Sequence, residues 1–368
     1  MWKFYQPVDI VLNEGEIHNI DEHMKRHGLS KALIISDPFP AVSDIAHMIG
    51  RSINGNCLGI TSRVEENPTV HNVDECAAAA KRLGAQCIIA VGGGSTIDCA
   101  KLVAAAVRMD KKGIDFISGL TATGSLPVVA VPTTAGTGSE VTAVTIISDK
   151  DLGRKGSLVN PVFFPKLAVV DPELTYSCPP KVTASSGIDV LMHAVDAMSS
   201  VKANPAADAL ALSASENVFS KLAVAVAEGS DKNARRLMAE ASLLAGMAFS
   251  QTGTTGSHAC SYYITAKYGI PHGEACALTA HKWLPLNAKL RPQLDDYAGR
   301  LGFGDAAGMS EAIQNLKRAV GLRMTLEEAE IPAEDIPEIA RQCAAAGNAP
   351  NNVCPITEDL VAEILENL

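Results

Sequence analysis

Four side chains in the second half of this sequence carry the functional groups of a metal site. Gly187-Ile188-Asp189-Val190-Leu191-Met192-His193-Ala194 sets a carboxylate and an imidazole four residues apart. On a helix, residues i and i+4 share a face, so Asp189 and His193 can reach one cation. Ser257-His258-Ala259 and Pro271-His272-Gly273 add two histidines fourteen residues apart, in a stretch rich in Gly, Thr, Ser and Tyr. One carboxylate and three imidazoles suit a divalent cation that keeps a position open for a substrate oxygen. Bound there, it would act as a Lewis acid on an alcohol or a carbonyl. An Asp-x-x-x-His pair taken alone is more often an exposed helical pair, so its company decides.

That company includes two loops suited to a nucleotide. Val91-Gly92-Gly93-Gly94-Ser95-Thr96-Ile97-Asp98 follows an apolar run and opens a helical one. Its glycines let the main chain approach a ligand, and amides at a helix start favour an anion, so a pyrophosphate fits. The stretch is not Gly-x-Gly-x-x-Gly, and a Gly-rich turn is often only a turn. Pro132-Thr133-Thr134-Ala135-Gly136-Thr137-Gly138-Ser139-Glu140-Val141-Thr142 also follows an apolar run. Small hydroxyl residues at a strand's carboxyl end form a surface where open α/β sheets bind ligands; a solvated loop is the alternative. Asp37, just past Ala32 to Ser36, is placed to accept hydrogen bonds from an adenosine ribose and to repel a 2′-phosphate. As a lone residue it is more often a cap or turn former.

Two kinds of element must position these groups. Between 32 and 171, the apolar runs Ala32 to Ser36, Cys87 to Val91, Pro127 to Val131 and Leu167 to Val170 alternate with helical stretches such as Val73 to Leu83 and Thr96 to Val107. Continuous apolar strands separated by helices predict a parallel sheet covered on both faces. From Pro179 onward the chain is rich in Ala, Leu and Glu, as in Ala206 to Val226 and Ala234 to Phe249, and reads as helical. The Pro pair 179–180 stops any element, so we expect a dinucleotide-binding α/β domain over 1–178 and a helical metal and substrate domain over 179–368.

Composition bounds the function. At 368 residues with 47% apolar content the chain can bury two cores. A net charge of -10 without a basic cluster argues against nucleic acid. No run of eighteen apolar residues predicts a membrane span. The opening Met1-Trp2-Lys3-Phe4-Tyr5-Gln6-Pro7 lacks a secretory layout, and nine cysteines without a Cys-x-x-Cys pair fit reduced thiols. We therefore expect a cytoplasmic protein.

In their order, these motifs resemble the iron-containing (group III) alcohol dehydrogenase family over nearly the whole chain. The series runs Gly-Gly-Gly-Ser-x-x-Asp, Pro-Thr-Thr-Ala-Gly-Thr-Gly-Ser-Glu, Asp-Pro-Glu-Leu at 171–174, Gly-Ile-Asp-x-x-x-His, then His-x13-His with Pro-His-Gly. The resemblance implies an N-terminal Rossmann-like domain and a C-terminal all-helical domain, α/β plus all-α. It implies Asp189, His193, His258 and His272 as ligands of Fe2+. Imidazole and carboxylate also suit Zn2+, Mn2+ or Ni2+. For the cofactor it implies Gly93, Gly94 and Ser95 at the pyrophosphate, Thr133, Thr134 and Thr142 towards the nicotinamide, and Asn67 and Lys155 nearby. With Asp37 present, NAD(H) is expected over NADP(H), serving an alcohol or aldehyde as substrate.

Two departures from the family pattern bear on the chemistry. Where many relatives carry a further histidine four residues after the first of the pair, this sequence has Tyr262. A phenol ionises near pH 10, so Tyr262 is either a substitute acid or a pocket wall, and wall is preferred. The loop Gln251-Thr252-Gly253-Thr254-Thr255-Gly256-Ser257 is unusually polar. Buried hydroxyls want partners, so we expect a polar or anionic substrate unless they bond one another. The stretch from Trp2 to Val8 also resembles phosphonoacetaldehyde reductases. A dehydroquinate synthase-like lyase, which uses NAD and a metal on a related scaffold, is the alternative. The alternation at Asp9-Ile10-Val11-Leu12 suggests an edge strand that pairs between subunits, hence a homodimer or larger homo-oligomer.

Overall fold

A computed structural model describes residues 1–53, 55–65, 67–149 and 154–368, with main chain alone at 154 and 155. Its contacts divide the chain into two compact units, one of residues 6–134 and 138–177, the other of 1–5, 135–137 and 178–368. The expected boundary at 178–179 lies one residue past the last change of unit. The stretches 1–5 and 135–137 count with the helical unit.

Among the described residues of the first unit, eight strands are formed: β1 (Asp9–Leu12), β2 (Ala32–Ser36), β3 (Cys57–Thr61), β4 (Cys87–Gly92), β5 (Val128–Pro132), β6 (Val144–Asp149), β7 (Arg154–Val159) and β8 (Leu167–Val170). Six of them make one parallel sheet in the order β1-β8-β5-β4-β2-β3, and β6 pairs with β7 in an antiparallel ribbon. Five helices accompany them: α1 (Ile20–Arg26), α2 (Pro40–Ser52), α3 (Val70–Leu83), α4 (Gly94–Met109) and α5 (Gly113–Ile117). Strand alternation divides the apolar side chains between two cores. Leu33, Ile35, Ile88 and Ala90 face one that α3 and α4 complete with Val73, Leu102 and Val103. Ile34, Ile89 and Val129 face the other, closed by Met24 of α1 and Ile49 of α2. Two apolar faces per strand leave no polar alternation, so the runs read as continuous.

The chain steps outward from β2 to β3, then returns to β4 beside β2 and continues the other way through β5. The carboxyl ends of β2 and β4 therefore flank the switch point of the sheet, the place where open sheets of this kind bind ligands. Asp37 follows β2 and Gly93 follows β4. β1 is an edge strand, as its alternation suggests, but its inner side pairs with β8 of the same chain, Asp9 opposite Leu167.

The second unit is helical: α6 (Pro180–Met198), α7 (Pro205–Ala227), α8 (Lys232–Thr252), α9 (Gly256–Tyr268), α10 (His272–Ala288), α11 (Gln293–Arg300), α12 (Ala306–Ala319), α13 (Ile336–Ala344) and α14 (Glu358–Glu366). α6 is buried on every side from Gly187 to Met198, as a helix apolar all round must be. On length and hydropathy α7 passes as a membrane span, yet its Ala211, Val218 and Leu222 pack with α6 and α8 in a core. A second core gathers Ile264 of α9, Trp283 of α10, Ile339 of α13 and Val361 of α14. The helices that bear the proposed ligands are thus held by packing along their lengths.

Candidate active site

α6 presents Asp189, His193 and Asp196 at i, i+4 and i+7, one face of the helix. α9 delivers His258 as its third residue, and α10 begins at His272. The next residue explains how α10 starts so close to α6. A Cβ on Gly273 would collide with the Ser185 carbonyl and stand 2.6 Å from the Asp189 Cβ. Only glycine permits that approach.

The result is a buried group of polar atoms without protein partners. Asp189 Oδ1 and His258 Nε2 are both buried and unbonded among the described residues, 3.6 Å apart. That is longer than a hydrogen bond of about 2.7–3.2 Å, and within reach of two bonds of about 2 Å to a shared cation. His193 Nδ1 is also buried and unbonded, 3.9 Å from Asp189 Oδ2. Orphaned ligand atoms are costly in a protein interior unless something else binds them, so the donor set fits a divalent metal.

The four sequence-derived ligands do not close as one group, however. One ligand atom each from Asp189, His258, His272 and Cys276 lies within 4.8 Å of the others, and His193 is not in that set. Its ring stacks between Phe249, at 4.2 Å, and His258, at 4.6 Å. Cys276, four residues after His272 on the same face of α10, takes the place in the cluster.

Electrostatics favour positive charge at this point. Burial pushes the His193 imidazole down to about 4 against the pull of Asp189, which keeps it in the neutral, metal-binding form. Burial would raise Asp189, but the surrounding imidazoles of His193, His258 and His272 hold its carboxyl well below the usual carboxylate range. For His258 burial acts downward, and Cys276, Asp196 and Asp189 override it, lifting the imidazole well above its ordinary value.

Asp196 is the functional residue that the sequence reading missed. Its Oδ2 accepts the His258 Nδ1 proton at 2.8 Å and the Thr255 N–H at 2.6 Å, and its Oδ1 accepts from Ser257 Oγ at 2.7 Å. Such a carboxylate fixes the tautomer that leaves Nε2 free for a metal. Its position seven residues after Asp189 was the available signal.

Tyr262 lies with its ring parallel to His272, centroids 6.1 Å apart. Burial holds the phenol above its ordinary pKa. The polar loop needs a correction. Gln251 clasps the Tyr5 main chain through Oε1 and Nε2, Thr252 Oγ1 donates to the Gly253 carbonyl, Thr254 Oγ1 accepts from Asn348, and Ser257 serves Asp196. Among the described residues, Thr255 Oγ1 is the buried hydroxyl of this loop left without a partner. Residues distant in sequence supply most of the loop's partners, so its side chains, Thr255 Oγ1 apart, are satisfied within the protein and do not by themselves demand a polar substrate.

The nucleotide motifs meet at the switch point of the first unit. Gly93 caps α4 in an extended conformation and Gly94 is its first residue. A Cβ on Gly92 would come 2.6 Å from Thr96 Oγ1 and 3.1 Å from Asp37 Oδ2, so Asp37 leans on this turn. Ser95 Oγ accepts the N–H of Asn67, which sits at φ 56°, a conformation asparagine tolerates. Thr133 N–H bonds to the Gly92 carbonyl, and Thr134 Oγ1 borders Gly93. Asp37, Asn67, Gly93, Gly94, Ser95, Thr133 and Thr134 are thereby brought together. Thr142 belongs elsewhere: its hydroxyl accepts from Lys101 Nζ at 3.3 Å, in a buried knot with Ser139 and Asp98. The Lys155 side chain lies outside the described residues.

A nucleotide turn on a parallel sheet and a buried carboxylate and imidazole cluster on a helical unit describe an oxidoreductase that pairs a dinucleotide with a metal. Comparisons with known proteins give the family. A family model for iron-containing alcohol dehydrogenase matches residues 7–172, and one for the C-terminal part of the Fe-containing alcohol dehydrogenase family matches residues 183–368. 1-Propanol dehydrogenase PduQ of Salmonella typhimurium is 34% identical over 94% of this chain and 95% of its own. Sulfoacetaldehyde reductase of Bilophila wadsworthia is 31% identical over 95% of this chain and 94% of its own. The crystal structure of sulfoacetaldehyde reductase from Bifidobacterium kashiwanohense in complex with NAD+ superposes with a TM-score of 0.96 at 37% identity, covering 100% of this chain and 98% of that one. This chain belongs to the iron-containing alcohol dehydrogenase family and is an oxidoreductase of the alcohol dehydrogenase class. The dehydroquinate synthase-like alternative is not favoured, since these relatives are dehydrogenases and reductases.

Proposed function

We propose that the protein reduces a short aldehyde with NADH, and oxidises the alcohol in reverse, at a divalent cation held by Asp189, His258 and His272 with His193 as a further donor. The observation that carries this reading is the pair Asp189 Oδ1 and His258 Nε2, 3.6 Å apart and both buried and unbonded among the described residues, with His193 Nδ1, likewise unbonded, 3.9 Å from Asp189 Oδ2. Iron is the metal of the family's name, and Zn2+, Mn2+ or Ni2+ accept the same donors. When bound, the cation supplies Lewis acidity to the carbonyl or alcohol oxygen.

The chain's own residues do the rest. Asp196 holds the His258 Nδ1 proton and so fixes the ring. Tyr262, stacked on His272, is a wall that orients that imidazole. Amides at the start of α4, with Gly93, Gly94 and Ser95, take the pyrophosphate. Asp37 takes the ribose and disfavours NADP(H), which accords with the NAD+ complex of the structural relative. The two roles fall to domains 1–178 and 179–368. A cytoplasmic homodimer or larger homo-oligomer accords with nine free cysteines and an edge strand at β1.

The first candidate substrate is a short unbranched aldehyde such as propanal, because main-chain groups, Asn348 and Asp196 take up the side chains of Thr252, Thr254 and Ser257 and a relative is named for 1-propanol. An anionic aldehyde is the second candidate, supported by the likeness to two sulfoacetaldehyde reductases. The test is NADH oxidation by metal-loaded protein with propanal, butyraldehyde, sulfoacetaldehyde and phosphonoacetaldehyde, repeated with NADPH. Turnover with NADH on propanal is expected, at higher kcat/KM than on the anionic pair. Absence of turnover on all four, or a preference for NADPH, would overturn the assignment.

A further inference from the structure

Building on that metal site, we propose that Cys276 is a ligand, giving the cation a thiolate besides its carboxylate and imidazoles and biasing the site towards thiophilic divalent ions. Three observations support it. The Cys276 sulfur belongs to the one group of ligand atoms, with Asp189, His258 and His272, that lies within 4.8 Å throughout among the described residues. Its sulfur is 3.8 Å from His272 Nε2, and the spacing of four residues on α10 fixes both on one face. The thiol is also fully buried, at 0% exposure, against the charged end of the cluster. A cysteine serving only to fill space has no need to point at a carboxylate and two imidazoles.

The chemistry is a simple exchange: the S–H bond breaks, its proton passes to solvent, and the sulfur lone pair forms the bond to the cation. No oxidant or reductant takes part. Thiolate is a soft donor that suits Zn2+ and Co2+, whereas Mn2+ is served by carboxylate and water. With Cys276 engaged, the ranking of metals shifts against Mn2+, because the thiolate adds a soft donor to the carboxylate and imidazoles of the proposed site.

Cobalt makes this visible without any turnover. Metal-free full-length protein titrated with Co2+ is expected to develop a near-ultraviolet thiolate-to-cobalt charge-transfer band at one equivalent, absent in Cys276→Ser. By competition with a chromophoric chelator, Cys276→Ala is expected to lose about tenfold or more in Zn2+ affinity and less than about threefold in Mn2+ affinity, on the scale typical of altered metal sites. Equal losses for both metals would mark a packing defect and overturn the proposal, as would Co2+ binding without the band. His272→Ala separates the two readings. If Co2+ binds the wild type but not His272→Ala, and no band forms, this inference fails while the proposed metal site stands. If the wild type binds no metal, the proposed function fails with it.

Discussion

Asp196 sets the state of the His258 ring without being a ligand. Because its carboxylate holds the Nδ1 proton, Asp196→Asn removes the charge while keeping the size, and should weaken metal binding by about 10- to 100-fold. Chelator competition measures it, and an affinity within about twofold of wild type would show that packing alone orients the ring. Glu140 gives a prediction far from the metal. It is buried, facing the cation of Lys101, and burial pushes its carboxyl up from 4.5 to about 7. A raised carboxyl pKa means that the folded state binds more protons than the unfolded one between those values, so Glu140's contribution to stability falls as pH rises from 4.5 to about 7. Glu140→Gln should therefore gain on the wild type by roughly 3 kcal/mol across that window. Urea unfolding at several pH values tests it; a difference between the two proteins that is flat in pH would contradict the assignment.

At the scale of elements, the site depends on how close α10 starts to α6. Gly273 allows it, since a Cβ would meet the Ser185 carbonyl and Asp189. Gly273→Ala must push the first turn of α10 away and carry His272 with it. The expected cost is about 1–3 kcal/mol of stability, as for overpacked interiors, with a loss of metal affinity of about tenfold or more, on the scale of disturbed metal sites. Thermal unfolding of the metal-free protein and metal analysis separate the two effects. Unchanged metal content would mean that α10 can yield without moving His272.

At the scale of the whole molecule, the proposed function gives the dinucleotide to the sheet unit and the metal to the helical unit. Removal of the metal with a chelator should abolish turnover while leaving NADH binding, followed by fluorescence, within about threefold. That range amounts to less than 1 kcal/mol. Loss of NADH binding on chelation would place the metal's influence within the nucleotide site. Apolar burial carries both units, as shown by the two cores on the faces of the sheet and the two of the helical unit.

How much of this was legible in the sequence follows from the range of each interaction. β2, β4, β5 and β8 could be read because a strand buried on both faces must be apolar at every position, and the glycine turn after β4 because phosphate needs a close main chain. β3 escaped: Cys57–Thr61 is half-buried and interrupted by Gly59, which leaves neither an apolar run nor an alternation. The spacing of Asp189 and His193 is helical, so sequence alone determined that they share a face. Which atoms share a cation was decided by packing. The bond from His258 to Asp196 spans 62 residues, and the partner that satisfies Thr254 is 94 residues away. Cys276 joins Asp189 only because Gly273 lets α10 start against α6. Local periodicity determines which residues can face the same way, whereas the close packing of distant helices decides which of them meet, since contacts of a few ångströms depend on the side chains of both partners.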